Sequence, residues 1–105
     1  MASILSDKSF KTAWETALDS TDHAAFLQEM QQTVGSSQQV LLELENIWNV
    51  AHMSFKDLRA HAKMTQVAFA DRLCVGRRTV QSWENRVCPH YIRLLIAQSL
   101  GLIEH

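Results

Sequence analysis

Glycine and proline are scarce, three and one in 105 residues. A chain so poor in turn residues does not fit a many-stranded β sandwich or barrel, and it lacks the composition of a flexible linker. Cysteine is equally sparse. Cys74 and Cys88 are too few for a disulfide framework, and a reducing cytoplasm is their simplest home. No apolar run approaches the roughly 18 residues of a membrane-crossing helix. The N-terminal MASILSDKSF has no basic region followed by an apolar stretch, so the expectation is a soluble, cytoplasmic chain without an export signal.

Signatures of chemistry are missing too. No glycine-rich phosphate loop, paired catalytic carboxylates or Ser/His/Asp ordering stands out, so no enzyme is expected. Cys88, His90 and the distant Cys74 match no zinc-ligand spacing, and neither metal nor cofactor is expected. His52 and His61 fall near helix ends, where solvation is the default.

What the chain has is apolar residues, 47% of the total, at helical spacing. Phe10, Ala13, Trp14, Ala17 and Leu18 fall at i, i+3, i+4, i+7 and i+8, which predicts an amphipathic helix over 7–19. Ser20, Thr21 and Asp22 offer caps for a second, whose stripe of Phe26, Leu27, Met30 and Val34 stops at Gly35. A third starts after Ser36 or Ser37, with Ser36 and Gln39 at capping-box spacing, and carries Val40, Leu41, Leu44, Ile47, Trp48 and Ala51. The first two are too short to persist alone, so their faces need a partner: the third helix, the rest of the chain, a second copy or another protein. The Phe10 and Trp14 face is the candidate for a dimerisation arm. Ser54 and Asp57 are spaced as a capping box for a short helix to Lys63, and Pro89 suits the start of a last helix that Gly101 stops.

Between these lies TQVAFADRLCVGRRTVQSWE, residues 65–84. Thr65 can cap a helix that Cys74, Val75 and Gly76 break, and a second helix then runs from Arg77 to Glu84. At about 100° per residue, Thr79, Val80 and Trp83 fall on one side of it and Arg77, Arg78, Gln81 and Ser82 on the other. That division suits a helix lying in the major groove. Arginine bonds bidentately to guanine and glutamine to adenine, whereas serine discriminates less.

The pattern Thr65-Gln66, Phe69-Ala70, Leu73, Val75, Arg78-Thr79-Val80 and Trp83-Glu84 resembles the Cro/lambda-repressor-like (Xre) family of helix-turn-helix domains, from about Phe55 to Ile103. The resemblance implies an all-α, lambda-repressor-like bundle with an N-terminal helical extension. Its motif core would be Phe69, Ala70, Leu73, Val75, Val80 and Trp83. It implies that the outer face of the second helix, with Arg77, Arg78, Gln81 and Ser82, meets base edges of double-stranded DNA. Gln66 would touch the DNA backbone, joined by Thr79, Arg86, Lys63 and Arg93. Cys74 stands where the family usually has glycine, and Gly76 where serine or a similar residue is common. A cysteine at positive φ costs on the order of 1 kcal/mol, so the turn is expected to be strained or differently shaped.

Charge divides with the pattern. Residues 1–53 carry two basic side chains against seven acidic, and residues 54–105 carry eight against four, or −5 and +4. The reading is therefore an acidic helical region over 1–53, for dimerisation or partner binding, followed by a DNA-binding domain over 54–105. The expected function is a sequence-specific transcription regulator, a repressor, that binds as a homodimer. The alternative is an antitoxin-type protein whose acidic half holds a toxin or other protein while its C-terminal half binds the operator.

Overall fold

In a computed structural model, which describes residues 4–105, the chain is all-α: seven helices and no strand among the described residues. It divides into two compact units. The first comprises residues 4–52 together with Gly101–His105, and the second comprises Met53–Leu100. The second unit is thus inserted, in sequence, into the first.

The first unit is built from α1 (Asp7–Asp19), α2 (His23–Val34) and α3 (Gln38–Ala51). Each starts on a side chain that accepts an orphan backbone N–H: Ser6 from Ser9, Asp22 from Ala25, Ser37 from Val40. The third cap is Ser37, so Ser36, one residue too early, leaves the capping-box spacing with Gln39 unused. α1 and α2 both pack on α3. Ala13 and Ala17 are fully buried, and their small size lets the α1 backbone come close. Phe10 and Trp14, the candidate face for a dimerisation arm, are buried, as are Phe26, Met30, Leu44 and Ile47. An apolar face of this size gains most by burial, and the chain supplies that burial itself. Gly101–His105, assigned to the second segment by the sequence reading, pack here: Ile103 is buried and the Leu102 carbonyl accepts from Asn46 Nδ2 at 2.7 Å.

The second unit holds α4 (Phe55–Ala62), α5 (Gln66–Leu73), α6 (Arg77–Asn85) and α7 (His90–Ser99). Ser54 and Asp57 exchange both bonds of a capping box at the start of α4. Hydrogen bonds from the Ser54 backbone and hydroxyl hold the Asp57 carboxyl below its ordinary pKa. Phe55, Leu58, Phe69, Val80, Ile96 and Ala97 form the core, with the Phe55 ring edge-on to Phe69 at 5.5 Å and tilted against Trp83 at 5.4 Å. α7 begins one residue after Pro89, which serves as its N-cap.

Candidate nucleic-acid interface

The turn between α5 and α6 decides where α6 points. Cys74 takes the left-handed conformation, φ 57° and ψ 40°. Its N–H bonds back to the Asp71 carbonyl at 3.2 Å and the Val75 N–H to the Ala70 carbonyl at 3.0 Å, which together make a Schellman motif with cysteine at its left-handed position. The turn therefore has the shape that glycine would adopt freely, and it bears the strain of a side chain there. Gly76 is extended, with φ −72°, and caps α6 through its carbonyl, which receives the Thr79 and Val80 N–H groups. A Cβ on Gly76 would meet nothing nearer than Thr79 Oγ1 at 4.0 Å, so no close approach demands glycine.

On α6, Val80 is fully buried and Trp83 half-buried, while Arg77, Arg78 and Ser82 are exposed and Gln81 is half-buried. Among the described residues, no hydrogen bond or ion pair engages the side chains of Arg77, Arg78 or Gln81. The two arginines occupy the first turn of the helix, where the macrodipole already places partial positive charge. That arrangement is unfavourable for the isolated helix by a few tenths of a kcal/mol to about 1 kcal/mol, and it becomes favourable when an anion approaches. The second unit as a whole carries eight basic against three acidic side chains, +5, because Glu104 belongs to the first unit.

Around this face, Lys63 is the exposed left-handed C-cap of α4, Arg86 is the exposed C-cap of α6, and Thr79 is half-buried. Gln66, at the first position of α5, donates Nε2 to Glu84 Oε2 at 2.6 Å and retains a second amide hydrogen. Arg93 does not join the exposed set. It is 8% exposed, and its guanidinium donates to the Met53 carbonyl at 2.6 Å and contacts His90 Nδ1. Burial lowers its pKa. The charge that placed Arg93 among the backbone contacts could not show that this side of α7 faces inward.

Of the motif core, Phe69, Ala70 and Val80 are buried, whereas Leu73, Val75 and Trp83 are half-buried. The last three, with Ile92, Leu95 and Ile96, line a cavity of about 180 Å³. The sequence reading missed the brace behind the site. Glu84, nearly buried, pairs with Arg59 Nε as well as with Gln66, and Arg59 also donates to the Met64 carbonyl. Burial pushes the Glu84 carboxyl pKa up, but the bonds from Arg59 and Gln66 and the Arg59 charge outweigh it, and the net shift is downward.

The family model described as Helix-turn-helix matches residues 55–96. This segment is an Xre-type, lambda-repressor-like helix-turn-helix domain. The match covers α4, α5 and α6 and most of α7, and it leaves the first unit outside. The helix-turn-helix domain is of a DNA-binding, transcription-regulating kind. No curated protein and no solved structure matches the chain. Among the described residues no helix is long and apolar enough to cross a membrane.

Proposed function

We propose that the chain is a sequence-specific transcription regulator, acting as a repressor, whose helix α6 reads the major groove. The observation that carries this reading is the split of α6: Val80 anchors one side in the core while Arg77, Arg78, Gln81 and Ser82 stand on the other. Bidentate donors on a helix fixed from behind are what base readout requires. Gln66, Thr79, Arg86 and Lys63 contact sugar-phosphate and set the register of the domain. Occupying a promoter suffices for repression and needs no second active surface.

A single short helix contacts few base pairs, so specificity calls for two half-sites and a homodimer. The surface that supports this lies in the second unit. On α7, Tyr91 and Leu95 are 65% and 56% exposed and one helical turn apart, Leu95 also lines the cavity with Trp83, and Val87 in the preceding loop is 85% exposed. Exposed apolar side chains so grouped mark an association surface.

The test is selection of the intact protein against a randomised duplex library at two salt concentrations, with sequencing of the bound fraction. An enriched palindromic motif is expected, with half-sites one or more helical turns apart. Binding without enrichment that vanishes at the higher salt would reduce the interaction to phosphate attraction and overturn the reading.

A further inference from the structure

We propose that Asn85 is a positioning residue for DNA, an uncharged donor to one phosphate that helps to fix the register of α6 in the groove. The inference rests on the reading of α6 as the helix that enters the major groove, and it adds a residue beyond those already placed against DNA.

By residue type Asn85 is a helix stop, since asparagine often ends a helix in the left-handed conformation. Its backbone does something else. α6 runs through Asn85, and the cap is Arg86, which is extended with φ −128° and donates its N–H to the Ser82 carbonyl at 2.8 Å. Among the described residues, the non-glycine positions with positive φ are Lys63 and Cys74. Asn85 is therefore spared the structural role that would account for it.

The side chain is spared as well. Asn85 is exposed, and among the described residues no hydrogen bond or ion pair engages its amide. At about 100° per residue it projects between Gln81 and Arg78, in the middle of the arc that Arg77, Arg78, Gln81 and Ser82 span. An unengaged amide on that side has two donor hydrogens to offer.

Place along the helix decides what the amide meets. A recognition helix brings its N-terminal residues to the base edges. Asn85 lies seven residues beyond Arg78, roughly 10 Å along the axis, at the end where the helix rises toward the groove wall. Its side chain is one methylene shorter than that of Gln81, so the sugar-phosphate chain is nearer to it than the base edges are. Asparagine is a common donor to phosphate oxygens. Arg86, the next residue and also exposed, brings a charged donor to the same end. The two differ in one measurable respect: a neutral donor displaces no counterion, so losing it lowers affinity without altering salt dependence.

The test compares the parent chain with Asn85→Ala and Asn85→Lys on the duplex that the parent selects, on single-base variants of that duplex and at several salt concentrations. Alanine favours a helix more than asparagine does, so Asn85→Ala should fold at least as well, which circular dichroism checks. Asn85→Ala should lose about three- to ten-fold in affinity per half-site, equally on every duplex and with the salt slope unchanged. Asn85→Lys should regain affinity at low salt and steepen the slope by about 0.9 per half-site. Single methylphosphonate substitutions along each strand should reveal one phosphate whose neutralisation costs the parent about three- to ten-fold more than it costs Asn85→Ala. Unchanged affinity of Asn85→Ala, a loss confined to one base identity, or no phosphate that distinguishes the two proteins overturns the proposal. A parent chain that selects no duplex overturns the reading of α6 and this inference with it, whereas failure at Asn85 alone leaves that reading standing.

Discussion

Gln66 at the start of α5 donates its side-chain amide to Glu84 in the last turn of α6, 2.6 Å away, so the two helices of the motif are joined at the end opposite their turn. Glu84 also receives Arg59 from α4, and one carboxylate therefore fixes three helices. Truncating it leaves the Arg59 charge unpaired in a half-buried position. Glu84→Ala is expected to destabilise the chain by about 3 kcal/mol, a large share of the 5–15 kcal/mol typical of a domain. Urea titration followed by circular dichroism measures it, and a loss below about 1 kcal/mol would show the brace to be unimportant.

The same carboxylate makes a pH prediction. Its pKa is lowered on folding from an ordinary 4.5, so its stabilisation is fully present above 4.5 and is lost as pH falls through the lower folded value. Asp57 in the capping box shifts in the same direction from 3.8. Glu84→Gln should therefore flatten the acid side of the stability curve, and Glu84→Gln with Asp57→Asn should flatten it further. An unchanged acid limb in the double variant would assign acid unfolding to other carboxylates.

Arg78 and Lys63 separate base reading from phosphate attraction. Arg78→Ala should cost about 1–3 kcal/mol on the selected site and relax preference at one base pair. Lys63→Ala should weaken all duplexes alike and reduce the salt slope by about 1. Fluorescence anisotropy on matched and mismatched duplexes at several salt concentrations distinguishes them, and equal losses on every sequence for both variants would refute the division of roles.

Cys74 sits in a left-handed conformation that glycine adopts without a Cβ penalty. Cys74→Gly is expected to raise stability by about 1 kcal/mol with the turn unchanged, read as a higher denaturation midpoint at constant slope. A destabilised variant would mean that the side chain contributes more through contacts than it loses in strain.

Tyr91 tests association. It is exposed, so Tyr91→Asp should leave stability within about 0.5 kcal/mol while opposing burial of the α7 face against a second copy. Sedimentation should show the parent chain as a dimer and the variant as a monomer. Site affinity should fall about 100-fold or more, because two linked half-sites become one. A parent chain that is monomeric on and off DNA would overturn the homodimer.

Local patterns carried most of what could be read in advance. The helices of the first unit follow from periodic apolar residues and Ser or Asp caps, and α4 from Ser54 and Asp57, because these signals act within four residues of sequence. The two faces of α6 follow from its wheel. Arg93 shows where this stops: its charge suggested an outward phosphate contact, and only the packing of α7 turned it toward the Met53 carbonyl.

The sequence by itself determined the all-α class, the helix-turn-helix motif and the opposite charges of its two segments, since each depends on residue type and short spacing. Tertiary structure alone decided that Glu84 would meet Arg59 across 25 residues, that Phe10 and Trp14 would be buried, and that Gly101–His105 would return to the first unit. Those outcomes depend on which apolar faces find one another and which polar groups they bring with them. No local pattern encodes that choice.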